Sequence, residues 1–293
     1  MRITQQMLNQ NSVRHMNQNL SRFENISNQV STGKHLQRPS DDPVGIGLSM
    51  NLKSSIAANE QYGRNSNVAS LWLDETDRTI NQTVNILHRV KDLALQGSNE
   101  TLSEQDRATI AGEVEQLTEQ IRQNANVKVN GKYLFNGQKS NQPPFPDRES
   151  LLTSSFDKGA VTFAVADGVT IKANVTAEEL FGSAEDGTSL FQTINDLAAA
   201  LRTGGPLPLE GIDKGLDRIL TTWSGVGAVK ARLEAVDYRL KDSNVELQSM
   251  LSKIEDVNFA EAITKLKSEE SIYQASLSVT SKIIQSSLVD FLR

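Results

Sequence analysis

The stretch "STGKHLQRPSDDPVG", residues 31–45, interrupts a run of helical patterns and decides how the chain is read. Its Gly-Lys pair raises the possibility of a phosphate-cradling loop. That loop needs a further Gly before the pair, with four residues between, and Ser or Thr after it. Asn28 and His35 occupy those places, and the preceding segment reads as helix rather than strand. Gly33 fits instead as the left-handed residue just past a helix that ends near Val30–Thr32. Asp42 then serves as N-cap and Pro43 as the first helical residue, where its missing N–H costs nothing. The carboxylates of Asp41 and Asp42 also suit the positive end of the next helix. The stretch is a hinge between helices.

Upstream, Val13, Met16, Leu20, Phe23 and Val30 form a heptad seam, with Ser27 in the slot between the last two. The seam turns polar toward the start, where eight Asn or Gln fall within the first 20 residues. A helix this weak in burial frays alone. Downstream, helical patterns fill roughly 46–97 and stop at Gly97. Ser103 caps a new helix that carries Ile110, Val114, Leu117 and Ile121 to about Asn124. "VNGKYLFNGQ", 129–138, holds two turn signals, Asn130-Gly131 and Asn136-Gly137. Pro143, Pro144 and Pro146 mark a linker. A hairpin is expected around Asp167-Gly168, then a helix at about 188–202 ended by Gly204-Gly205-Pro206.

From about 209 the helical pattern runs to the C-terminus. Leu233, Val236, Leu240, Leu247, Met250, Ile254 and Val257 hold a heptad frame with Ser243 as its weak slot. Near "DVNFAEA" the frame slips to Phe259, Ile263, Leu266, Tyr273, Leu277 and Ile284, a change expected to alter supercoil winding locally. The pattern predicts a mainly α chain with an α+β insert. The simplest closure pairs the two terminal helices, since a helix with half its seam polar needs a partner to persist. The expected division is 1–44 with 252–293, 45–138 with 206–251, and 139–205.

The C-terminal stretch 271–289 contains one charge, Lys282. Solvated faces of long helices normally carry many Glu and Lys. A Ser-, Gln- and Thr-rich face can be buried against another subunit without the several kcal/mol (~) that each ion would cost. Both terminal helices therefore read as the inner wall of a polymer.

Composition excludes several classes. Across 293 residues, hydrophobic types make up 38% and aromatics 5%, favouring narrow apolar stripes. A net charge of −6 argues against nucleic acid or anionic membrane as partner. There is no cysteine, which removes disulfides, thiolate nucleophiles and Cys-ligated zinc. No stretch approaches the ~18 apolar residues of a membrane span, and no secretory signal opens the chain. His15, His35 and His88 stand apart from any second ligand, so no metal, cofactor or catalytic constellation is expected. Glu269-Glu270 reads as a solvated helix-surface pair. Trp72 and Trp223 read as core. Asn174-Val175-Thr176 matches a glycosylation acceptor but follows a strand, and is set aside.

The ordered set "STGKHLQRPSDDPVG", "NGKYLFNG", "DLAAALRTG", "GVGAVKARLEAV", "IEDVNFAEAITKL" and "SSLVDFLR" resembles the flagellin superfamily over roughly 1–138 and 205–293. The Asp-Asp-Pro hinge and the "SLVDFLR" end are more similar to its hook–filament junction branch than to filament subunits. That resemblance implies terminal helices paired as an antiparallel coiled coil, a helical rod domain and a small β-rich outer domain. It also implies export through the flagellar type III apparatus, with a cytoplasmic chaperone holding the C-terminal helix beforehand. It implies a homo-oligomeric ring in the extracellular flagellum, with the first hook-associated protein on one side and flagellin on the other. Leu20, Phe23, Ile26 and Val30 are expected to meet Leu277, Ile284, Leu288 and Phe291 in subunit assembly, both ends being disordered in the free monomer. Arg38, Pro39, Ser40, Asp41, Asp42 and Pro43 are expected to form the hinge that touches neighbouring subunits. Filament flagellin is the alternative within the class, and a cytoplasmic coiled-coil adaptor the alternative outside it. An adaptor should carry charged flanking positions in its terminal coils, and this chain does not.

Overall fold

The computed structural model describes residues 5–99, 102–153, 156–183 and 187–291, the side chains at 5, 6, 8, 9, 152, 153 and 283–291 excepted. Twelve elements follow in chain order. They are α1 (Gln5–Thr32), α2 (Pro43–Gly97), α3 (Glu104–Ala125), β1 (Lys128–Val129), β2 (Lys132–Tyr133) and α4 (Ser150–Thr153). β3 (Thr162–Ala166), β4 (Val169–Lys172), α5 (Ala177–Phe181), α6 (Leu190–Thr203), α7 (Leu209–Glu255) and α8 (Phe259–Phe291) complete the chain. Two compact units emerge, residues 1–58 with 244–293 and residues 59–243.

The second unit holds nearly all the described apolar core. Trp72, Leu73, Ile80, Leu87 and Leu93 of α2 pack with Val114 and Ile121 of α3, Ile194 and Leu197 of α6, and Ile212 and Ile219 of α7. Each helix begins or ends where its backbone groups find partners. Ser103 and Asp106 form a reciprocal capping box on α3, and Gly204, at φ 71°, closes α6 in the left-handed region. β3 and β4 pair antiparallel around Asp167-Gly168, with Phe163 opposite Ile171 and an irregularity between Ala164 and Ala166. Trp72 meets Phe163 edge-on at 6.3 Å. Trp223 is half-buried, and its indole N–H donates to Asp77 at 2.6 Å.

The proline-marked segment is not a free linker. Phe145, between the prolines, is buried and makes edge contacts with Phe191 at 4.8 Å, Phe156 at 5.0 Å and Phe181 at 5.9 Å. Asn126 grips its backbone from both sides, accepting from the Phe145 N–H at 3.0 Å and donating to its carbonyl at 2.6 Å. Composition registers the prolines but not the aromatic between them. Asn174, of the glycosylation-like triplet, is buried and bonded to the backbone of Val161 and Gly159.

The first unit is built differently. α1 and α8 run antiparallel, with Phe23 stacked on Tyr273 at 6.2 Å and 8°. Of the described apolar side chains here, only Leu36 and Ala262 are fully buried, beside the polar Asn19, Ser49, Glu255 and Thr280. Leu20, Phe23, Ile26 and Val30 lie half-buried along α1, while Val13 points outward.

Two expectations about the C-terminal helix are corrected. It is not continuous: the frame slip is a true break at 256–258, between α7 and α8. The inward face of α8 is Ala262, Leu266, Glu269, Tyr273, Ser276 and Thr280, which keeps Leu266 and Tyr273 of the expected frame but leaves Phe259, Ile263 and Leu277 outside it. Leu277 is 42% exposed, Phe259 53% and Ile263 48%. At ~100° per residue, Leu277 and Phe259 sit about 60° round the helix from Ala262. The side chains of Ile284, Leu288 and Phe291 lie outside the described residues.

Candidate assembly hinge

Within the first unit, the hinge after α1 and the break after α7 are fastened to each other. α1 ends at Thr32, and Gly33, at φ 71°, donates to the Gln29 carbonyl at 2.9 Å. The chain then runs against the α7–α8 break like a short antiparallel ribbon. His35 N–H donates to the Glu255 carbonyl at 2.8 Å, and Val257 N–H to the Gly33 carbonyl at 2.9 Å.

Glu255 is the centre of this fastening. It is 7% exposed. Its carboxylate accepts from Lys34 Nζ at 2.9 Å, from Ser49 Oγ at 3.2 Å, and from Lys53 Nζ. Burial alone pushes the Glu255 carboxyl up, but the hydrogen bonds and charges of Lys53 and Lys34 outweigh it. The group is held below the ordinary carboxylate value. One side chain thereby ties the hinge, the start of α2 and the end of α7.

The rest of the hinge is closed by its own turn chemistry. Asp41 Oδ2 accepts from the backbone N–H of Arg38 at 2.8 Å and of Gln37 at 3.2 Å. Asp42 caps α2, its Oδ1 accepting from Val44 N–H at 3.0 Å, with Pro43 as the first helical residue. Gln37 Nε2 reaches back to Thr32 Oγ1 at 2.6 Å. Leu36 is buried beneath the loop, while Arg38, Pro39, Ser40 and Asp41 stand exposed. A polar cleft of about 230 Å³ opens beside them, lined by Asn25, Asn28, His35, Arg38, Asp41 and Asp42.

The expected hinge residues Arg38 to Pro43 thus form one turn, and Lys34 is an anchor rather than a phosphate ligand. Sequence reasoning missed Glu255, Ser49 and Lys53. A carboxylate on the last residue of a helix opposes the helix dipole and therefore demands cations nearby. That was the available signal. It also read Glu269 as solvated, whereas Glu269 Oε2 is buried with no hydrogen-bond partner among the described residues. The cause is its place on the inward face of α8.

The family model of the bacterial flagellin N-terminal helical region matches residues 3–140, and that of the C-terminal helical region matches residues 209–292. The chain belongs to the bacterial flagellin family. Both models reach across the hinge and the break, and residues 141–208 fall between them. Among curated relatives of this flagellin-family chain is flagellar hook-associated protein 3 of Escherichia coli K12. It is 26% identical over 302 residues, covering 94% of this chain and 95% of that protein. The flagellin of Halalkalibacterium halodurans is 27% identical over 266 residues, covering 91% and 89%. Among solved structures, flagellar hook associated protein-3 from Legionella pneumophila shares the fold at a TM-score of 0.63 and 19% identity, covering 70% of this chain and 98% of that one. The mainly helical architecture, with long terminal helices and a small strand-bearing insert, is that fold.

Proposed function

We propose that this chain is a structural subunit of the bacterial flagellum, forming the junction between the hook and the filament. The observation that carries the reading is the end-to-end match to hook-associated protein 3 of Escherichia coli, 95% of whose length is covered. In this role the chain is exported through the flagellar type III apparatus, after a cytoplasmic chaperone has held α8. It then assembles as an extracellular ring. The first hook-associated protein lies on one side and flagellin on the other. Its work is mechanical rather than catalytic.

The terminal pair, 1–44 with 252–293, is proposed to order only when subunits pack side by side. Residues 45–138 with 206–251 act as the rod, and 139–205 as the outward-facing domain. The scarcity of buried apolar side chains between α1 and α8 among the described residues supports this, because so little burial hardly offsets the entropy of ordering two helices. The exposed stripe of Phe259, Ile263 and Leu277 would be covered by a neighbouring subunit.

A second reading is filament flagellin, favoured by the comparable identity to the Halalkalibacterium protein. Purified chain added to isolated hook fragments bearing the first hook-associated protein separates the two. A junction subunit adds one bounded layer and stops, and then accepts flagellin. Continuous polymerisation would overturn the junction reading in favour of the filament one. Hydrogen exchange on the same samples reports the coupling: α1 and α8 should exchange fast in the free chain and slowly once assembled. Slow exchange in the free chain would refute it.

A further inference from the structure

The chain contains two Asn-Gly pairs six residues apart, and the fold treats them oppositely. Asn130 is exposed at the tip of the β1–β2 hairpin, with φ 51°, followed by Gly131 at φ 79°. A Cβ added to Gly131 would have no neighbour within 4 Å. The ladder that holds this tip consists of Lys128 opposite Tyr133 and Val129 opposite Lys132. So short a hairpin opens readily at its end.

Asn136, by contrast, is 6% exposed. Its amide donates to the carbonyls of Gln142 at 3.0 Å and Lys139 at 3.3 Å. Gly137 is pressed against the Asp157 backbone, and Asp157 Oδ2 accepts from the next N–H, of Gln138, at 2.6 Å.

We propose that Asn130–Gly131 is a site of spontaneous deamidation and isomerisation in the folded chain, and that Asn136–Gly137 is shielded by the fold. When the tip opens, the Gly131 backbone nitrogen attacks Asn130 Cγ. The N–Cγ bond forms, the Cγ–Nδ2 bond breaks, and ammonia leaves with the proton lost by the Gly131 amide. Water then adds to either carbonyl of the resulting succinimide. One opening yields aspartate, the other isoaspartate, with no change of oxidation state. Gly131 lacks the side chain that would hinder the approach. Isoaspartate lengthens the main chain by one atom, so the two-residue turn no longer matches the Val129–Lys132 pairing. A negative charge also appears between two lysines.

The full-length chain, incubated folded in warm, mildly alkaline buffer, tests this by tryptic mass mapping. Trypsin separates the sites cleanly, one in Val129–Lys132 and the other in Tyr133–Lys139. Conversion at Asn130 should exceed that at Asn136 by more than about a hundredfold, since the second needs a far larger opening. Isoaspartate should be the main product, identified by electron-transfer fragmentation. In concentrated urea the two sites should convert at similar rates. The variant Asn130→Gln should leave its peptide unchanged. Equal conversion of both sites in the folded chain would overturn the proposal. So would a difference that persists undiminished in urea, which would place its cause in local sequence instead of the fold.

Discussion

Replacing Glu255 by Gln keeps the shape of the hinge fastening and removes its charge. Two charge-assisted hydrogen bonds weaken, those from Lys34 and Lys53, while the Ser49 hydroxyl keeps an acceptor. A hydrogen bond to a charged group contributes ~1.5–3 kcal/mol. The lysine side chains are 45% and 47% exposed, however, so released ammonium groups recover water at little cost. About 1 kcal/mol each remains, or roughly 2 kcal/mol for the ordered hinge. If ordering of the first unit is coupled to assembly, that loss appears as weaker incorporation, about 30-fold in apparent Kd. Titrating the chain onto hook fragments, with sedimentation of the bound fraction, measures it. Melting of the 59–243 unit should be unchanged, because none of these partners lies in it. Incorporation within about threefold of the unmodified chain would refute the reasoning. Equal incorporation with faster exchange at the His35 and Val257 amides would show that the fastening orders the hinge but that assembly does not depend on it.

The same carboxylate makes assembly pH-dependent. Its folded-state pKa lies below the ordinary value, so its contribution is complete above that value and is lost as pH falls through the lowered one. Incorporation should weaken in that acid range for the unmodified chain, and Glu255→Gln should flatten this step. In the second unit, Phe145→Ala should cost about 3–5 kcal/mol by opening a cavity among Phe156, Phe181 and Phe191, lowering its Tm by roughly 10 °C in calorimetry. Gly225→Ala and Gly227→Ala, in the interior of α7 with no neighbour for an added Cβ, should each stabilise that unit by about 0.5–1 kcal/mol in denaturant unfolding. Gly182→Ala should do the reverse: its φ is 77°, and an added Cβ would overlap the Thr188 carbonyl oxygen. A loss of more than about 1 kcal/mol is expected from that strain.

Local chemistry was legible in the residues themselves. Gly33, Asp42-Pro43, Ser103, Asp167-Gly168 and Gly204 each stop or start an element through a backbone preference or a cap that acts within a few residues. Such signals do not depend on what lies across the molecule. The seam of α1 was likewise readable at Met16, Leu20, Phe23 and Val30, though not at the exposed Val13, because heptad spacing is a property of one helix. What packs against that seam is not. The inward face of α8 passes through Ala262, Leu266, Tyr273, Ser276 and Thr280, with Tyr273 stacked on Phe23 of α1, while Phe259, Ile263 and Leu277 stay outside. Phe145 among its prolines and Glu255 at its helix end gain their roles from partners 11 to 221 positions away, Phe156 and Lys34 among them. A single chain can announce where it turns, since turning is local. Which buried charge meets which lysine is settled only when distant segments close on one another and water is excluded between them.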